Sequence, residues 1–462
     1  MTSTTPPGSN PEGSDTSAST APLDPLTALL REVEGAPDPL TGNTSNTNSQ
    51  LPPPPGSPQD KPSKKIRTPK PRWLKITGIV VLVVLLVPLV SLTRAVASPN
   101  NLSVTERAAE WMRDNNLGFV LNTFENWWLS NHQPKTGGEP DRDINAIDVE
   151  QAGPTTTVKS IAPHLPKPAN VEVPYGVTPV ANEGVWLPVG PTVGGAQPMY
   201  TTQVRPDSVH TSILDGLTWM DPKLLKFELF PGTEEPGGKW AKPSQVPMDQ
   251  RLALAAAFNA GFRMQDARGG FYLDGQTRGT LRDGAASLVL YADGRATVGV
   301  WGRDMTLTPD VVGVRQNLDL IIDNGGGPPN PGGVPASTAK PGVPAPGLSD
   351  NADGAWGATF GNKILAWRSA VGVTGDGALV YGYGDGLGAL SLAQLMLRGG
   401  CVRAMELDIN TVWTTFNFYA ATRALDPTSV EGTKLLPDSF KGANRYLSPD
   451  ARDFVGVFTR TL

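Results

Sequence analysis

From about Met199 to Leu462 the chain keeps one texture: short apolar or alternating segments, each closed off by Gly or Asp-Gly. They stand at Leu224 to Phe230, Ala286 to Tyr291, Ala296 to Trp301, Leu318 to Ile322, Lys363 to Trp367, Ala378 to Tyr383 and Val402 to Ile409. Brief runs bounded by turn residues read as strands, and Asp293-Gly294 and Asp376-Gly377 have the sequence of hairpin turns. Helical spacing is confined to Met248 to Phe258, Leu390 to Leu397 and a segment near Arg423. The predicted fold class is therefore α+β: a mixed, mostly antiparallel sheet domain with a few helices over 199–462.

The residues before 199 have another character. Fifteen of the 45 prolines fall within the first 71 residues, where no aromatic side chain appears. Such a stretch cannot bury a core, so 1–72 is predicted to be a disordered cytoplasmic tail rich in Pro, Ser and Thr. Its end is basic: Lys61, Lys64, Lys65, Arg67, Lys70, Arg72 and Lys75 occur with no acid among them. The charge-free run Ile76 to Leu92 follows directly, and with Trp73 as an interfacial residue it predicts a transmembrane helix over 73–95. The excess of basic residues on its N-terminal side predicts a single-pass cell-membrane protein, with the N-terminus cytoplasmic and the C-terminal domain extracytoplasmic. Ala95-Val96-Ala97 has the look of a cleavage site, but the long preceding tail is unlike a signal peptide and favours an uncleaved signal-anchor. Beyond it, 96–198 reads as juxtamembrane helices, the first opened by the capping box Ser103-Val104-Thr105-Glu106, followed by an extended linker.

Composition removes several function classes. A net charge of -5 disfavours nucleic acid as a partner. The single Cys401 excludes an intramolecular disulfide and a multi-cysteine zinc site, and three scattered histidines favour neither a His-rich metal site nor a Ser-His-Asp triad.

The segment richest in chemistry is Met405-Glu406-Leu407-Asp408-Ile409-Asn410. In a regular strand Glu406, Asp408 and Asn410 share one face, with i and i+2 about 6.6 Å apart. That spacing suits paired carboxylates in acid and base work, and it equally suits a half-exposed strand turning polar groups to water. Arg368 interrupts an apolar, small-residue strand, either as half of a structural ion pair or as a fork for a phosphate or carboxylate. Asn259-Ala260-Gly261-Phe262 ends another apolar run, and Asp323 ends the strand from Leu318 and opens a long Gly/Pro loop. No cofactor is expected: Asp323, Glu406 and Asp408 are oxygen ligands open to a hard divalent cation, but no ligand-loop spacing joins them.

In order and spacing, these pieces resemble the phosphodiester glycosidase family over roughly residues 205–420. Asn259-Ala260-Gly261-Phe262 resembles its N-G-G-F-F motif, and Arg368-Ser369-Ala370-Val371-Gly372 its R-x-A-x-G segment. Ala404-Met405-Glu406-Leu407-Asp408 resembles its A-x-x-L-D strand, although Ile409-Asn410-Thr411-Val412 stands where the family has Gly-Gly-Gly-Ser. The resemblance implies hydrolysis at the glycosidic side of a sugar 1-phosphodiester. The resemblance places Asn259, Arg368 and Asp408 in the site; with the residue reading added, Asp408 is the expected base or nucleophile and Glu406 the acid, while Arg368 holds phosphate and Asn259, Gly261, Asn410 and Asp323 are the expected substrate-binding residues. With the predicted span, this describes a membrane-anchored extracytoplasmic hydrolase or transferase whose partners are an envelope glycan or sugar phosphate and the membrane, through one helix. The alternative is a non-catalytic glycan-binding or envelope-scaffold protein that retains the fold.

Overall fold

The computed structural model describes residues 86–97, 102–147, 162–326, 339–349, 351, 354–357 and 365–461. The described residues fall into two compact units, one ending at Asn131 and one beginning at His132.

In the first unit residues 86–96 are helical, followed by helices Val104–Asp114 and Gly118–Asn131. Ser103 caps the second of these as its sequence predicts: its Oγ accepts from Glu106 N, and Glu106 Oε2 accepts from Ser103 N. Arg107 Nη1 donates to Val96 O at 2.7 Å and Trp111 Nε1 to Ser91 Oγ at 3.0 Å, which ties the helix at 86–96 to its successor.

The transmembrane expectation is overturned here. Among the described residues no helix is long and apolar enough to cross a membrane. Residues 86–96 reach roughly 16 Å at 1.5 Å per residue, about half a hydrocarbon core, and they carry Arg94. Residues 73–85 and the predicted disordered tail lie outside the described residues. The fold class is thus corrected to a mixed antiparallel domain with few helices, and among the described residues no helix able to cross a membrane. The signal-anchor, the single-pass localisation, the membrane as a partner through one helix and the membrane-anchored form of the predicted hydrolase are withdrawn with it.

The second unit is built from three sheets whose neighbouring strands are all antiparallel. The largest runs in the order Leu187–Pro188, Met199–Val204, Asp215–Met220, Leu379–Leu387, Ala366–Thr374, Cys401–Ile409, Leu320–Asp323, Val343–Pro344. A second sheet comprises Gln276–Arg278, Phe271–Leu273, Val311–Gln316, Ala286–Tyr291 and Ala296–Val300, and the third Val430–Lys434, Phe416–Ala421, Leu254–Asn259, Phe454–Thr459 and Leu225–Phe230. Met248 to Phe258, predicted as helical, is instead a short 3-10 helix, Met248–Ala253, running into the strand Leu254–Asn259. Its alanines lie between two neighbouring strands, and that pairing overrides their helix propensity.

The core forms where the three sheets meet. Phe258, Val371, Tyr381, Met405, Leu407, Phe416 and Val455 pack together there, each worth about 1.5–3 kcal/mol of burial for side chains of this kind. The opposite face of the large sheet is covered by helix Ala389–Arg398, whose Leu392, Ala393 and Met396 pack on Ala370, Val380 and Ala404. Strand Ala366–Thr374 is therefore buried on both faces along its whole length. That explains its small, apolar composition, and it makes Arg368 a charge in a dry place. The stretch read as an extended linker also contributes: Trp186, Val189 and Val193 are buried, and Trp186 Nε1 donates to Ala169 O.

Candidate functional site

Strand Cys401–Ile409 is not regular where its carboxylates lie. Its pairing with Ala366–Thr374 sets Ala370 opposite Glu406 and Arg368 opposite Ile409, so one extra residue is accommodated between them. Asn317 fills this bulge: its Nδ2 donates to Glu406 O at 2.6 Å and to Leu407 O at 3.0 Å, two successive carbonyls turned the same way. The bulge breaks the period of two, and Glu406 and Asp408 are handed to different partners.

Glu406 turns toward Arg368. Arg368 Nη1 donates to Glu406 Oε1 at 2.6 Å and to Trp356 O at 3.3 Å, while its Nε donates to Leu387 O at 3.0 Å. The arginine is 2% exposed and the glutamate 0%. Glu406 Oε2 is buried with no hydrogen-bond partner. Burial lifts the Glu406 carboxyl to about 7, a shift that the neighbouring guanidinium opposes without cancelling.

Asp408, 3% exposed, accepts from Ile409 N through Oδ1 at 2.8 Å. Its Oδ2 lies 3.6 Å from Arg452 Nη2. Its backbone N and O both meet Ser369 Oγ, at 3.2 and 3.3 Å, and Ser369 Oγ accepts from Asn259 Nδ2 at 3.0 Å. Asn259 Oδ1 receives Tyr381 Oη–H at 2.7 Å and Thr415 N–H at 3.2 Å. The amide of Asn259 is thereby committed to joining strands at the centre of the core.

Gly261 serves close approach. A Cβ there would stand 3.1 Å from the guanidinium carbon of Arg315, an arginine that bonds Asp453 Oδ2 through Nε at 2.6 Å and Phe262 O through Nη2. Asn410 has φ +149°, a backbone conformation that favours glycine. Its side chain compensates in part, since Oδ1 accepts from Val412 N at 2.8 Å. Asp323 is elsewhere. It pairs bidentately with Arg303, at 2.7 Å to each terminal nitrogen, and that guanidinium holds its carboxyl below the usual range. Its strand registers with Cys401–Ile409 through Ile322 and Ala404, which puts Asp323 roughly 15 Å along the sheet from Asp408.

Several residues near Asp408 escaped sequence reasoning. Arg452, 5% exposed, lays its guanidinium 4.6 Å from the Trp413 ring centroid. Its Nη1 faces Glu235 Oε1 at 4.0 Å, and Glu235 in turn meets Arg263 Nε at 3.4 Å and Met264 N at 3.1 Å. The Nε and Nη1 groups of Arg452 are shut from solvent without a hydrogen-bond partner. The one local signal was the dense charge of Asp450-Ala451-Arg452-Asp453 before the apolar strand Phe454–Thr459. Among the described residues no group of three or more His, Cys, Asp or Glu side chains is placed to hold a metal ion.

No protein-family model matches the chain, and no curated protein matches it. Solved structures give a weak structural resemblance. The catalytic domain of zebrafish N-acetylglucosamine-1-phosphodiester alpha-N-acetylglucosaminidase, auto-inhibited by its pro-peptide, is 14% identical with a TM-score of 0.32, over 57% of this chain and 82% of that one. A hypothetical protein from Synechocystis is 16% identical with a TM-score of 0.29, over 59% of this chain and 64% of its own. A putative exported protein from Burkholderia pseudomallei is 13% identical with a TM-score of 0.27, over 53% and 74%.

Proposed function

We propose that the unit from His132 onward is a non-catalytic glycan-binding domain. The observation that carries this reading is the closure of the Arg368–Glu406 pair. The guanidinium is bonded by Glu406 and two backbone carbonyls, the carboxylate is sealed from solvent, and Asn259 spends its amide on Ser369, Tyr381 and Thr415. Groups so committed support the sheet; outside these bonds the pair keeps only Nη2 of Arg368 and the solvent-sealed Oε2 of Glu406. Asp408, Arg452, Glu235 and Trp413 are of the types that recognise carbohydrate: carboxylates, a guanidinium and an indole gathered in one place.

The test is a glycan array probed with the full-length chain, in parallel with hydrolysis assays on UDP-N-acetylglucosamine and an aryl phosphodiester. Binding without product is the expected result; absence of glycan binding rejects the reading. A second reading, a phosphodiester-glycosidase-type hydrolase, draws on Glu406, whose carboxyl near 7 suits an acid at neutral pH. Turnover by the native chain that disappears in Asp408→Asn with an unchanged melting temperature selects this second reading.

A further inference from the structure

Asp215 is the one acid among the described residues whose two carboxyl oxygens are both buried without a hydrogen-bond partner. It opens strand Asp215–Met220 and is 0% exposed. Its side chain lies flat on the neighbouring strand Leu379–Leu387, where a Cβ on Gly384 would overlap Asp215 Oδ1. An ionised carboxylate sealed from water with no donor carries a desolvation cost that nothing offsets, so the neutral acid is the form that fits. Asp385 of Leu379–Leu387 and Asp207, itself bonded to His210, face it as like charges, while Arg398 of helix Ala389–Arg398 and Arg142 are the facing cations. Both cations are engaged elsewhere: Arg398 donates to Arg205 O and Pro206 O, and Arg142 to Asp438 and Leu214 O. Arg205, next after strand Met199–Val204, is closed on Glu183, and Tyr383 Oη accepts from Leu436 N. Burial, with Asp385 next in weight, holds the Asp215 carboxyl well above the usual carboxylate range, and burial raises Asp385 too.

Residues 133–144 lie beside this acid as an irregular strap, with no helix or strand among them. Gln133 exchanges two hydrogen bonds with the backbone of Leu365, at 3.0 and 3.3 Å. Gly137 N donates to Val209 O at 2.7 Å, Thr211 Oγ1 to Gly138 O at 2.7 Å and Asn182 Nδ2 to Ile144 O at 2.8 Å. Next to Asp215 the strap is held by Arg142 through Leu214 O and Asp438, and Pro134 packs on Gly386, where a Cβ would collide with Pro134 Cγ and Ile213 Cδ1. A segment fixed by a few separate bonds opens without unfolding the sheet beneath it. We propose that Asp215 is a proton-controlled latch for this strap: the neutral acid lets the strap close on Ile213, Leu214 and Gly386, and loss of the proton opens it so that water reaches the carboxylate. The closed state binds the proton more tightly than the open state, where water restores an ordinary acid near 3.9. Closure is thus fully supported below that value, weakens about tenfold per pH unit above it, and levels off once pH passes the raised value of the closed state.

Amide hydrogen exchange of the full-length chain, read by mass spectrometry from about pH 4.5 to 8 and corrected for the intrinsic base-catalysed rate, tests it. Peptides covering 133–144 are compared with peptides of the buried strand Leu254–Asn259. Protection of the strap falls by as much as about tenfold per pH unit before it levels off, while the reference strand falls less. Asp215→Asn keeps the shape of the side chain and cannot ionise, and it makes strap protection independent of pH. Asp385→Asn removes a facing like charge, so the fall levels off at a lower pH than in the native chain. Strap protection that is flat with pH in the native chain overturns the proposal. A fall that persists in Asp215→Asn assigns the proton to His210 or another group and overturns it, and an equal fall in the reference strand replaces a local latch with loss of the whole fold. Should Asp215→Asn not fold, an Asp385→Asn profile identical to the native one overturns the proposal instead.

Discussion

Arg368 and Arg452 are both nearly lost to solvent and both face a carboxylate of strand Cys401–Ile409, but only the first guanidinium is hydrogen-bonded. Arg368 has Glu406 at 2.6 Å and two backbone carbonyls. Arg452 has Asp408 at 3.6 Å, Glu235 at 4.0 Å and an indole face. The contrast separates two uses of a buried arginine. Nε and Nη1 of Arg368 are tied to the sheet and to Glu406, whereas Nε and Nη1 of Arg452 are buried without a hydrogen-bond partner. It also reverses the weight that motif reasoning gave to the two positions, since Arg368 carried the motif and Arg452 carried none.

The comparison breaks most readily at Glu406. Replacing it with Leu leaves the permanent charge of Arg368 buried without its acceptor, and a loss of about 3–5 kcal/mol is expected. Urea denaturation at pH 7 measures it; a loss below about 1 kcal/mol would mean that the pair contributes nothing to the scaffold.

Titration sharpens the same point. Burial raises the Glu406 carboxyl to about 7 in the folded chain, against a free-chain value near 4.3. The folded state thus binds this proton more tightly than the unfolded state, so the associated stability is fully present at low pH. It is lost as pH rises through this window, by at most about 4 kcal/mol, and levels off above pH 7. Glu406→Gln keeps the acceptor for Arg368 and abolishes the titration. Stability of the variant plotted against pH from 4 to 8 should lack this part of the slope; an unchanged slope places the titration elsewhere.

Arg452→Met is the matching experiment on the other side. No hydrogen bond is lost, only the indole contact and a loose electrostatic attraction to Asp408 and Glu235, so about 1–2 kcal/mol is expected. A loss as large as that of Glu406→Leu would make Arg452 a scaffold residue as well and erase the distinction.

How far the sequence reaches can be seen along these two strands. A short apolar run closed by Asp293-Gly294 placed Ala286–Tyr291 to the residue, and Asp376-Gly377 gave the turn between Ala366–Thr374 and Leu379–Leu387. Both signals are local, written in consecutive residues. The separation of Glu406 from Asp408 was illegible because it depends on a bulge filled by Asn317, a residue 89 positions from Glu406. Arg452 was hidden for the same reason: its neighbours Glu235, Asp408 and Trp413 come from distant parts of the chain. The alanines of Leu254–Asn259 misled in the opposite direction, since their helix propensity yielded to strand partners that no local pattern announces. Arg368 was left open between ion pair and ligand fork, and only the position of Glu406 distinguishes the two.

The smallest effect bears on the turn that separates the two arginines' surroundings. Asn410 holds φ +149° directly after the Asp408 strand, where the resembled family carries glycine. Backbone strain of this kind costs a non-glycine residue about 1–3 kcal/mol, while the Oδ1 bond to Val412 N returns about 0.5–1.5 kcal/mol. Asn410→Gly removes both, and the extra freedom of the unfolded glycine consumes about 0.5–1 kcal/mol more. A net gain of about 0.5 kcal/mol or less in chemical denaturation is expected. A loss above about 1 kcal/mol would show that the side-chain bond dominates, making Asn410 a residue selected to shape the wall beside Asp408 rather than a strained substitute for glycine.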